Sequence, residues 1–115
     1  MPQFLLILHE DPGAFKALSP TEMQAVVDKY RQWSQALAAQ GQLAGGQKLR
    51  DEGGRHLRRS RGELQATDGP YAEAKDVIGG YFVVEAAGYD EAQRLAAGCP
   101  HLGNGWIELR EIEPT

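Results

Sequence analysis

The chain has 115 residues, a formal net charge of −4, and 42% apolar against 24% charged residues. That length suits one domain around one core, and the composition is that of an ordinary soluble protein. The acidic balance argues against generic nucleic-acid binding, and a single cysteine excludes a disulfide framework and a paired-cysteine zinc site.

The chain opens on the apolar run Phe4–Leu8, then His9-Glu10 and the turn signal Asp11-Pro12-Gly13. A run that short predicts a buried strand, because a membrane span needs about 20 apolar residues. No basic segment precedes it, so no signal peptide is expected and the cytoplasm is the expected compartment. A helix is predicted from about Pro20 to Gln40. Ser19 can cap it, Pro20 suits the first helical position, and Glu22 completes an S-x-x-E capping box. Met23, Val26, Val27, Tyr30, Trp33 and Leu37 recur at helical spacing and give it one apolar face. Gly41 is a natural stop.

A strand is expected over Leu43–Leu49, and a hairpin over Arg55–Ser60 and Glu63–Ala66 with Arg61-Gly62 at its turn. The turn Thr67-Asp68-Gly69-Pro70 should lead into a short helical piece from Tyr71 to about Val77, ended by Gly79-Gly80. Tyr81–Glu85 reads as a strand by its β-branched and aromatic content. A second helix is predicted from about Tyr89 to Ala97, closed by Gly98 and Pro100, and Trp106–Ile112 is the last strand. The residues 111–115 read as a strand end and short tail.

Two β-α-β units in one small domain, 1–115, predict an α+β ferredoxin-like sandwich with an antiparallel sheet and helices on one face. The bare face of such a sheet needs a cover. A second copy of the chain supplies it most simply, so a homodimer is expected.

The densest polar cluster on a fixed backbone is Thr67–Asp76, where Asp68 sits in a sharp Gly69-Pro70 turn and Glu73, Lys75 and Asp76 follow. It reads either as a carboxylate and amine presented to a ligand at a helix start, or as a cap on a solvated turn. His9, at a strand end, suits a general acid or base, or a half-buried ring bonded to backbone. Lys48–Arg61 forms a basic patch, read as a contact for RNA, phosphate or an acidic surface, or as a solvated edge hairpin. Cys99 falls on the predicted buried side of the second helix. The three histidines are widely spaced, so no metal site is expected, and no nucleotide or cofactor motif is present.

Asp68-Gly69-Pro70-Tyr71-Ala72-Glu73-Ala74-Lys75, followed by Gly79-Gly80-Tyr81, resembles the DGPF branch of the YCII-related proteins. Tyr71 stands for the motif's phenylalanine and Asp76 for its last glutamate. The resemblance extends over nearly the whole chain and implies a dimeric α+β barrel of ferredoxin-like subunits. Some members of the wider group present a histidine on the first helix and an aspartate before a proline near the second. Here Tyr30 lies in the first region and Cys99 precedes Pro100, so that pair is absent. Branch members are often encoded beside alternative sigma factors, which implies a bacterial setting and a link to transcription initiation.

The resulting expectation is a small-molecule binding protein or enzyme with a polar cleft near the Asp-Gly-Pro-Tyr motif. Asp68 and His9 are its candidate catalytic residues. Gly69, Pro70, Tyr71, Glu73, Lys75 and Tyr81 are its candidate ligand-binding residues. The alternative is a regulatory interaction protein acting with a sigma factor. No cofactor, nucleic acid or membrane partner is expected.

Overall fold

A computed structural model describes residues 1–69 and 76–115. The elements are β1 (Gln3–Glu10), α1 (Pro20–Ala39), β2 (Leu43–Lys48), β3 (Arg55–Ser60), β4 (Glu63–Asp68), β5 (Val77–Glu85), α2 (Tyr89–Ala97), a 3-10 turn (Pro100–Gly103) and β6 (Gly105–Ile112).

The helix start is as its sequence predicts. Ser19 accepts from the Glu22 amide, and Glu22 reaches back to the Ser19 amide. These bonds satisfy two donors that have no partner inside the helix. They also hold the Glu22 carboxyl below its ordinary range.

The strands β2, β5, β1 and β6 form one sheet in that order, antiparallel throughout. With α1 after β1 and α2 after β5, this is the α+β ferredoxin-like arrangement. The hairpin β3–β4 is a second, two-stranded sheet inserted between β2 and β5. Its left-handed turn falls at Arg61-Gly62.

Side chains alternate across a strand, so β1 divides into two faces. Phe4, Leu6 and Leu8 point to the helices and are buried. They form the core with Val84 and Ala86, Leu37 of α1, and Ala92 and Ala96 of α2. The register places Leu5 and Ile7 on the other face, beside Val83 and Tyr81 of β5. No helix of this chain covers that face among the described residues. The shortest dimension, 18 Å, is that of one sheet and one helix layer.

The expectation for Gly79 and Gly80 needs correction. They do not end a helix; they lie inside β5, which begins at Val77 rather than at Tyr81. The remainder of the expected helical piece, 71–75, lies outside the described residues. The cause is tertiary. A Cβ at position 79 would overlap the Glu10 carboxylate, and one at 80 would come within 2.7 Å of the Gln47 carbonyl oxygen on β2. These glycines permit close strand approach rather than a turn.

Candidate functional site

The apolar stripe of α1 serves two purposes. Its later part packs: Leu37 is buried, and Trp33 meets Phe82 edge-on at 4.9 Å. Its earlier part lines a cavity of about 550 Å³ between α1 and the ends of β1, β2 and β5. Met23, Val26, Val27 and Phe82 supply apolar walls, while Glu10, Tyr30 and His101 bring polar groups into it.

His101 is carried by the 3-10 turn after Cys99 and is 1% exposed. Its Nε2 lies 2.8 Å from the His9 carbonyl oxygen, and its Nδ1 lies 2.8 Å from the Tyr30 hydroxyl. A carbonyl oxygen only accepts, so Nε2 carries a proton. In the neutral ring Nδ1 is then the acceptor, and Tyr30 donates to it. Burial pushes the Tyr30 phenol up to about 12, partly offset by a hydrogen bond from Asn104. The phenol therefore remains a donor at neutral pH.

This arrangement can relay a proton. A ligand group gives its proton to the Tyr30 oxygen while the phenol's own proton passes to His101 Nδ1. The imidazolium so formed keeps its Nε2–H on the His9 carbonyl. Run in reverse, the same path protonates a ligand.

Glu10 ends β1 on the helix-facing side and is 7% exposed. Strand alternation puts it in line with Phe4, Leu6 and Leu8, and a register shift between Leu8 and His9 lays its carboxylate over Gly79. Burial raises its pKa; His101, when protonated, and Lys48 offset part of that rise, and the Asp51 carboxylate adds to it. No hydrogen bond or ion pair reaches its carboxylate from the described residues.

Those of the residues singled out from sequence that the structure describes lie elsewhere. The His9 side chain points to the open face of the sheet, 3.0 Å from Glu108 and stacked on Trp106 at 4.0 Å. That bond draws the Glu108 carboxyl below its ordinary range. His9 serves the cavity through its backbone carbonyl instead. Tyr81 is on the same open face, opposite Ile7. Asp68 closes β4 across from Arg55, exposed on the hairpin, and the Gly69 amide donates to Gly54. Pro70, Tyr71, Glu73 and Lys75 lie outside the described residues. Asp68 and His9 do not converge on one cavity. Leu57 and Leu64 of the hairpin are 62% and 60% exposed, and Arg55, Arg58 and Arg59 share β3 with Leu57.

Sequence reasoning missed Glu10 and His101 as site residues. Strand parity was the available signal for Glu10. His101 had none, since 71 positions separate it from Tyr30. Cys99 is buried as expected, and burial pushes its thiol up.

Among the described residues no three His, Cys, Asp or Glu side chains are grouped to hold a metal ion. No helix among them is long and apolar enough to cross a membrane. A family model described as "YCII-related domain" matches residues 3–115. No curated protein matches the chain.

Proposed function

The chain belongs to the YCII-related family, and from that premise we propose that it binds a small organic molecule in the cleft between α1 and the sheet and moves a proton on it. Within the family we place it in the DGPF branch, on Asp68-Gly69-Pro70-Tyr71 and Gly79-Gly80-Tyr81. The single observation behind the cleft is His101: fully buried, bonded through both nitrogens, and joined to a phenol that lines a cavity of about 550 Å³. A ring needed only for packing does not require a hydroxyl partner facing open space. The cleft is close to the motif in the chain, because Gly79 and Gly80, which line it, begin four residues after Lys75.

A fragment screen read by protein NMR tests this. Binders should perturb Tyr30, His101, Glu10 and Phe82 together. Perturbations confined to the open sheet face or to the β3–β4 hairpin would contradict the cleft. They would favour the regulatory reading, in which the protein acts on an alternative sigma factor through a surface.

We also propose that a second copy covers the open sheet face. Leu5, Ile7, Tyr81 and Val83 form its apolar centre, and on β6 exposed Trp106 and Ile112 flank Glu108 and Arg110 on the same face. An apolar patch of this kind on a soluble chain marks an interaction surface. Sedimentation should give a dimer for the parent and a monomer for Ile7→Glu; a monomeric parent at micromolar concentration would remove the dimer.

A further inference from the structure

Glu10 is more than nine-tenths buried, yet its carboxylate meets no donor among the described residues. A buried carboxylate is costly unless something complements it. Nor is it walled in, because it stands at the boundary of two spaces. On one side is the cleft of about 550 Å³, lined by Leu8, Phe15, Val26, Val27 and Phe82. On the other is a smaller space of about 250 Å³, bordered by Lys16 and Arg50 along with Asp51. Phe15, Met23 and Gly79 border both, so the two spaces adjoin at Glu10.

The cations that flank the larger space already have acidic partners. Lys48 Nζ is 2.9 Å from Asp51, and Arg31 is 3.8 Å from Asp28. Lys16 and Arg50, at the smaller space, are in no ion pair among the described residues. One after another the two spaces thus offer an apolar chamber, the Glu10 carboxylate, and two cations without an ion-pair partner among the described residues, beside an Asp51 that Lys48 neutralises.

We propose that this cleft takes a zwitterionic ammonium carboxylate with an apolar side chain, that is, an apolar α-amino acid or a close analogue. The ammonium sits on Glu10, the side chain fills the larger chamber, and the carboxylate faces Lys16 and Arg50. Phe15 and Phe82 also line the cleft, and aromatic ring faces favour cations. The proposal deepens the cleft reading and rests on it. In this role Glu10 is a binding residue, and Tyr30 and His101 remain the groups that handle a proton.

The test compares three probes on the full chain by calorimetry and protein NMR: L-phenylalanine, 2-phenylethylamine and 3-phenylpropanoate. L-Phenylalanine should bind most tightly, the amine more weakly, and the acid least. Glu10→Gln should weaken L-phenylalanine by about tenfold to a hundredfold, the value of one charge-assisted hydrogen bond. Lys16→Met combined with Arg50→Met should bring L-phenylalanine down to the level of the amine. In the parent protein, amino-acid binding should strengthen as pH rises and Glu10 ionises. Should Glu10→Gln fail to fold, the order of the three probes and the Lys16→Met, Arg50→Met variant decide the matter. The proposal is overturned if 3-phenylpropanoate binds as well as L-phenylalanine, if Glu10→Gln leaves binding unchanged, or if none of the three probes perturbs the cleft. In the last case the fragment screen still judges the cleft itself, so the two failures are distinguishable.

Discussion

Replacing Glu10 by glutamine should stabilise the protein at neutral pH. Glu10 is 7% exposed, and its pKa is raised chiefly by loss of water. Its ordinary value is 4.5. A raised folded pKa means that the native state holds its proton to higher pH than the unfolded chain does. Stability therefore falls as pH rises from the ordinary value through the raised one, and the full penalty applies above it. Glutamine keeps the shape and removes the charge, so a gain near pH 7 of about 1 kcal/mol is expected, within the range that single stabilising substitutions commonly yield. In a chain of this size that is roughly 4 °C in melting temperature. Urea unfolding of both proteins from about pH 4 to pH 8 measures it. The two curves should meet at the acidic end and diverge as pH rises, with the variant the more stable. A Glu10→Gln variant less stable than the parent near pH 7 would refute this, because Glu10 would then be engaged with a partner that stabilises its charge.

Three further changes probe the surrounding geometry. Tyr30→Phe leaves His101 Nδ1 buried without its donor and should cost about 1–3 kcal/mol, read by denaturant unfolding. Gly79→Ala drives a methyl group into the Glu10 carboxylate and should cost about 1–3 kcal/mol; in a Glu10→Ala background most of that cost should vanish, which a double-mutant cycle will show. Ser19→Ala removes half of the capping box and should cost about 1 kcal/mol in thermal or urea melts.

How much of this was legible in the sequence depends on the range of the forces concerned. The start of α1 is set by contacts three residues apart, and Ser19, Pro20 and Glu22 announced it. Strand alternation orders Phe4, Leu6 and Leu8 toward the core. Carried one step further, it also puts Glu10 there and turns the His9 side chain away. The histidine attracts notice by its chemistry, yet parity assigns its ring to the open face and leaves only its carbonyl to the cleft. Gly79-Gly80 misleads because a glycine pair looks alike whether it ends a helix or lets two strands close on each other. Only the neighbours, Glu10 and the Gln47 carbonyl, distinguish the cases. The apolar stripe of α1 was visible, but not that Met23, Val26 and Val27 would face a cavity. That depends on how far α1 stands from the sheet. The pairing of Tyr30 with His101 arises from packing across the whole chain and leaves no local mark.

The site's central pair can be observed directly through the imidazole nitrogens of His101, by long-range proton–nitrogen NMR on the parent protein and Tyr30→Phe. The neutral ring should carry its proton on Nε2, and the Nδ1 resonance should shift both when Tyr30 loses its hydroxyl and when a ligand fills the cleft. A ring protonated on Nδ1, or an Nδ1 indifferent to Tyr30 and to ligand alike, would contradict the relay.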